Sequence, residues 1–243
     1  NTSQGYVMVK YNGTNEKVKL QITCPDQSCY TYLISDRGAY DTFPLTAGNG
    51  SYALQVLENV AGDTYTVSLA QSINVSIEDE FHPSLYPNQY VNFHTDSKAV
   101  SKGSDLAKDT YSDLDVVQNI YNYVIKNISY DTEKAQNVSY GYVPDIDDTL
   151  SSKKGICFDY AALMTSMLRS QNIPTKLEVG YSGDAYHAWI STYIDDKGWV
   201  DDIIQFNGNT WQIMDPTLAA TNDSAAVKKY VGDGSHYVVK YTY

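Results

Sequence analysis

Hydrophobic and polar positions alternate through the first third of the chain. Val18, Leu20, Ile22 and Cys24 fall on one face of an extended segment. Tyr52, Leu54 and Val56 do the same, followed by Tyr65, Val67 and Leu69, then by Ile73, Val75 and Ile77. A period of two marks strands that turn one face to a core. Asn12-Gly13, Thr46-Ala47-Gly48-Asn49-Gly50 and Gly62-Asp63 supply turns between them. Short strands at this spacing predict a small antiparallel β-sandwich of immunoglobulin-like type over residues 1–78. No catalytic cluster falls inside it, so spacing, docking or binding is its expected work.

Residues 79–103 carry Pro83 and Pro87 and little periodicity, and read as a connector. The period then changes. Ser112-Asp113-Leu114-Asp115 resembles a capping box with Asp in the Glu position. After it Val116, Val117, Ile120, Tyr121, Val124, Ile125 and Ile128 recur at helical spacing and form one apolar stripe. A loop is expected from Tyr130 to Lys154. Its acids, Asp145-Ile146-Asp147-Asp148, lack the order of an EF-hand and read as turn and cap residues. A second helix is expected from near Cys157 to Gln171, buried along Ala161, Ala162, Leu163, Met167 and Leu168 and stopped by Pro174. Strands are expected at 176–181, 188–194, 198–204, 210–214 and 237–243. Helices followed by an antiparallel sheet give an α+β domain over residues 104–243.

Composition narrows the function. The chain has 243 residues, 42% hydrophobic and 19% charged, which fits folded rather than disordered protein. A net charge of −12 argues against nucleic-acid partners, whose phosphates it would repel. No apolar run has membrane-spanning length. A chain that starts at Asn1 fits one whose leader has been removed, and a secreted or cell-surface bacterial protein is the expectation. The 23 tyrosines suit half-buried strand faces, with carbohydrate stacking as the minor alternative. Cys24 and Cys29 are candidates for a disulfide closing a short loop, worth about 2 kcal/mol in the chain-entropy model. Two reduced core thiols are the equal alternative. An oxidised pair would mean an extracytoplasmic compartment, and would leave Cys157 as the odd thiol.

Cys157 stands between Gly155-Ile156 and the first turn of the second helix. A thiol attacks as thiolate, and a free one ionises only above about pH 8. A helix N-terminus favours the anion, and a nearby imidazole favours it more. Tyr186-His187-Ala188-Trp189 offers that imidazole at the start of a strand. Trp211-Gln212-Ile213-Met214-Asp215-Pro216-Thr217 offers an acid to orient it. Asp201 and Asp202 are rivals for this third role. Asp159, two residues after the cysteine, reads as an early-turn helix acid. His82, His94 and His236 lack such a context, and the four histidines show no metal-ligand spacing.

These segments resemble the transglutaminase-like superfamily. Gly155-Ile156-Cys157-Phe158-Asp159-Tyr160-Ala161 is similar to its nucleophile segment. Leu168-Arg169-Ser170-Gln171-Asn172-Ile173-Pro174-Thr175 is similar to its helix exit. His187-Ala188-Trp189 and Asp215-Pro216-Thr217 match its histidine and aspartate motifs. The four matches come in family order, over roughly residues 110–220. The resemblance implies a papain-like α+β core, a Cys157–His187–Asp215 triad and acyl transfer through a thioester. It also implies a second oxyanion donor from upstream of the cysteine, for which Tyr130 and Tyr142 are candidates. Phe158 stands where the animal crosslinking enzymes have tryptophan, and their calcium signature is not seen, so neither calcium nor another cofactor is expected.

The expected activity is that of a thiol enzyme on peptide or glutamine amide bonds, as protease, crosslinking acyltransferase or deamidase. Its partner would be a protein or peptide, cell-wall peptide included. The alternative is a catalytically silent surface or adhesion protein on the same fold.

Overall fold

The computed structural model describes residues 1–34, 38–182, 184–195, 197–200, 204–206, 211–213 and 237–243. The chain divides into two compact units, Asn1–Pro83 and Ser84–Tyr243.

The first unit holds β1 (Tyr6–Lys10), β2 (Val18–Thr23), β3 (Cys29–Leu33), β4 (Tyr40–Pro44), β5 (Gly50–Ala61) and β6 (Thr64–Val75). Strands β3-β2-β5-β6 form one antiparallel sheet and β1-β4 a separate pair. The alternation sorts residues as expected on β2, where Val18, Leu20 and Ile22 are buried. The two sheets meet at Tyr32 and Phe43, whose rings lie 4.8 Å apart. Both side chains are fully buried, each worth about 2 kcal/mol of apolar burial.

The structure corrects one expectation here. The segments around Tyr65–Leu69 and Ile73–Ile77 share one long strand, β6, and its outer part is open: Val67 and Leu69 are 50% and 55% exposed. A groove of about 380 Å³ runs here, lined by Val7 of β1 and by Leu54, Val56, Leu69 and Ile73. Of the two alternatives for Cys24 and Cys29, the structure has both thiols free. Register explains it: Cys29 pairs with Thr23, so Cys24 lies one residue out of phase. Cys24 is therefore buried while Cys29 faces outward.

The second unit builds helices around one central rod. Its elements begin with α1 (Lys98–Ala107), α2 (Asp113–Asn127), β7 (Ser129–Tyr130), α3 (Thr132–Asn137), α4 (Ile146–Ser152) and β8 (Lys154–Gly155). The rod itself, α5, is Cys157–Arg169. There follow β9 (Thr175–Ser182), β10 (Ala185–Ile194), β11 (Gly198–Val200), β12 (Ile204–Phe206), β13 (Trp211–Ile213) and β14 (Tyr237–Thr242). Every residue of α5 from Asp159 to Arg169 is buried. Helices α1, α2 and α4 pack around it, and it lies on β9 and β10. The sheet order is β11-β10-β9-β14, all antiparallel, with β12-β13 as a separate pair.

Local chemistry sets the helix ends. The Ser112 side chain accepts from the Asp115 amide at 3.2 Å, and the Asp115 carboxylate accepts from the Ser112 hydroxyl at 2.8 Å. That is the expected start of α2, whose stripe Val116, Val117, Ile120, Tyr121 and Val124 is buried. The acids of the 130–154 segment also act as caps. Asp145 accepts from the amides of Asp147 and Asp148, starting α4. Asp147 accepts from those of Lys98 and Ala99, starting α1. The expected loop thus contains two short helices. α1 lies against α5 at Gly103, where an added Cβ would come within 3.1 Å of the Met167 carbonyl oxygen.

Candidate active site

The segment leading into Cys157 is held from below. β7 and β8 pair in parallel, with Tyr130 opposite Gly155. The Asp131 amide donates to the Gly155 carbonyl at 2.9 Å. α5 then starts at Cys157, which places the cysteine amide among the first-turn N–H groups that lack an intrahelical acceptor. Tyr160 ties this turn to the end of α2 by donating to the Ile128 carbonyl at 2.7 Å. Burial pushes the Tyr160 phenol well above its ordinary range, so it stays a donor.

Asp159 is the anchor of the turn. It is fully buried, and its Oδ2 accepts from the Ile156 amide at 2.8 Å and from Lys134 Nζ at 2.7 Å. Its Oδ1 accepts from the Tyr142 hydroxyl. Lys134 also donates to the Tyr142 oxygen at 2.6 Å and lies 4.4 Å from the centre of that ring. Burial, the hydrogen bond to Asp159 and the carboxylates of Asp159, Asp148 and Asp145 push the Tyr142 phenol far up, so its proton stays on. Gly155 is required beside this cluster, because a Cβ there would lie 2.7 Å from the Asp159 Cβ.

His187 enters from β10. In the sheet it lies opposite Gly180, which pairs on its other side with Val239 of β14. A Cβ at Gly180 would collide with the Val238 carbonyl oxygen at 2.0 Å, so only glycine admits β14 here. The His187 and Trp189 rings stack with centroids 6.3 Å apart.

Cys157 and His187 line one cavity of about 340 Å³. Tyr130 and Tyr142 line it too, so both oxyanion candidates stand at the same cavity as the thiol. Cys157 is half-buried rather than sealed. Phe158, Tyr90 and Tyr243 form an aromatic wall, with the Tyr90 ring 5.3 Å from Phe158 and 4.8 Å from Tyr243. Trp189, by contrast, is buried in the core. Trp199 covers Lys176, whose Nζ sits 3.8 Å from its ring centre. Asp215, Asp201 and Asp202 lie outside the described residues.

Two neighbours were not singled out from the sequence. Tyr186 precedes His187 and lines the cavity. Partial burial, then Tyr241, Tyr181 and Cys157, push its phenol up, so it lies within electrostatic reach of the thiol. Lys134 was missed because its partner Asp159 is distant in sequence and no local pattern joins them.

Residues 100–201 match the family model of the transglutaminase-like superfamily. The resemblance read from the motifs is thereby shown for this segment, in a fold of helices and antiparallel sheet. A UPF0252 protein of Methanocaldococcus jannaschii is 30% identical over 118 residues, 42% of this chain and 34% of that protein. The kyphoscoliosis peptidase of Mus musculus is 30% identical over 107 residues, 39% of this chain and 16% of its own length. The chain thus spans well under two thirds of either relative. Among solved structures, the periplasmic domain of TgpA from Pseudomonas aeruginosa aligns with TM-score 0.45 at 14% identity, over 90% of this chain and 89% of that one.

Proposed function

We propose that the protein is a thiol enzyme that cleaves or transfers the acyl group of a peptide or glutamine amide. The observation that carries this reading is the shared cavity of Cys157, at the start of α5, and His187, on β10. The Cys157 thiolate attacks the amide carbonyl. Its own backbone N–H and one further donor, the hydroxyl of Tyr130 or Tyr142, hold the oxyanion. Tyr142 donates its hydroxyl proton to Asp159 in the resting structure. His187 protonates the leaving amine, and Asp215 orients the imidazole. A thioester remains, and water or a lysine-type amine resolves it. An aromatic and aliphatic lining supports partial exclusion of water from that step. The substrate is a protein or peptide. An extracellular location is part of the reading and rests on the appended β-rich unit, since the bridge that would have supported it is not formed.

The test is incubation with a labelled amine and a glutamine-bearing protein, followed by mass spectrometry, with Cys157→Ala as control. Amine incorporation assigns a transglutaminase, chain cleavage a protease and glutamate formation a deamidase. No change above the control under any condition would assign the silent binding protein instead.

A further inference from the structure

We infer that Asp159, Lys134 and Tyr142 form a charge-balanced clamp that sets how much of Cys157 is thiolate, with Lys134 as the compensating charge. The inference rests on the proposed role of Cys157 as nucleophile.

Asp159 performs two tasks that conflict. Its carboxylate fixes the amide of Ile156, the residue directly before the cysteine, and so orients the turn that presents the thiol. The same carboxylate is a buried negative charge in the first turn of α5. Unpaired, it would consume the positive field of the helix end and repel a thiolate two residues away. Lys134 removes that conflict at 2.7 Å. Three donors meet on Asp159, namely the Ile156 amide, Lys134 Nζ and the Tyr142 hydroxyl. An ionised carboxylate accepts all three, whereas a neutral amide has one acceptor oxygen. Asp159 and Lys134 are positioning residues: neither lines the cavity, and they act on the reacting carbonyl through Cys157.

Other titratable groups face the thiol. They are His187 and Tyr186 from β10, Tyr130 from β7, Tyr90, and Tyr243 after β14. All of them are unaltered in the variants below.

The pH profile of iodoacetamide alkylation at Cys157, read on its own peptide by mass spectrometry, tests the inference. Lys134→Met is expected to raise the pH of half-maximal rate by about one unit, a roughly tenfold loss of thiolate at neutral pH. Asp159→Asn is expected to lower it by about as much, since Lys134 is then uncompensated. The double variant returns close to wild type, and Tyr142→Phe, which keeps both charges, stays there. A merely structural role would weaken folding without shifts of opposite sign. An activated wild-type thiol whose midpoint moves the same way in both single variants, or in neither, overturns the inference alone. A wild-type thiol reacting only above pH 8, like free cysteine, overturns the proposed chemistry and the inference together. If Lys134→Met fails to fold, Asp159→Asn decides: a downward shift supports the clamp, and an unmoved or raised midpoint overturns it.

Discussion

The two ends of α5 each bury a charge, and they solve the problem differently. At the first turn Asp159 is balanced by an opposite charge, Lys134, whose side chain is 27% exposed. At the last turn Arg169 is buried with carbonyl oxygens as its partners. It donates to those of Thr175 at 2.8 Å, Tyr86 at 2.6 Å and Tyr243 at 2.8 Å. Both charges have the sign the helix dipole favours at their own end. Burial pulls the Arg169 guanidinium down to about 9, which still leaves it charged at neutral pH. A carbonyl clasp ties three separate segments of chain together and has no second ionisable group to lose. An ion pair can be retuned by one substitution. The rigid solution sits at the opposite end of α5 from Cys157, and the adjustable one two residues along from it.

The largest effect should come from the clasp. Arg169→Met leaves three carbonyls without their donor and is expected to cost about 4 kcal/mol, read as a lower urea midpoint. Arg169→Lys should recover only part of this, because an ammonium cannot span the fork of acceptors. A full recovery would reduce the clasp to a charge effect. Next comes Gly155→Ala, whose methyl drives against Asp159; about 3 kcal/mol is expected in thermal unfolding. Lys134→Met should cost about 2 kcal/mol, less than a fully buried pair because the lysine is partly hydrated. Equal costs for Lys134→Met and Arg169→Met would erase the contrast between the ends. Smallest is Tyr142→Phe, about 1 kcal/mol for one hydrogen bond, measurable by chemical denaturation beside wild type.

Much of this architecture was legible in the sequence because it is written at short range. The stripe from Val116 to Val124, the Ser112 cap and the alternation on β2 each need only a few residues to declare themselves. The strands Thr175–Ser182, Ala185–Ile194, Trp211–Ile213 and Tyr237–Thr242 were placed to within about three residues for the same reason, whereas the one expected at 198–204 is described as Gly198–Val200 and β12 was not foreseen. The helix Thr132–Asn137 was missed because Thr-Glu-Lys-Ala-Gln-Asn has no apolar period, and its cap, Asp131, looks like any turn acid. The exposure of Val67 and Leu69 was missed because period two marks a face without saying whether another layer covers it. Cys157 and His187 were singled out by their local settings, and both line one cavity. Asp159 was read as a helix-turn acid, which it is, but its ion pair depends on a fold that brings α3 to the base of α5.

The Arg169–Tyr243 hydrogen bond has a temporal consequence. During synthesis α5 and its cysteine leave the ribosome more than seventy residues before Tyr243 does. Until that last partner arrives, the guanidinium lacks one of its acceptors and the cavity lacks one wall. Assembly of the pocket therefore waits on translation reaching Tyr243, well after α5 has been made.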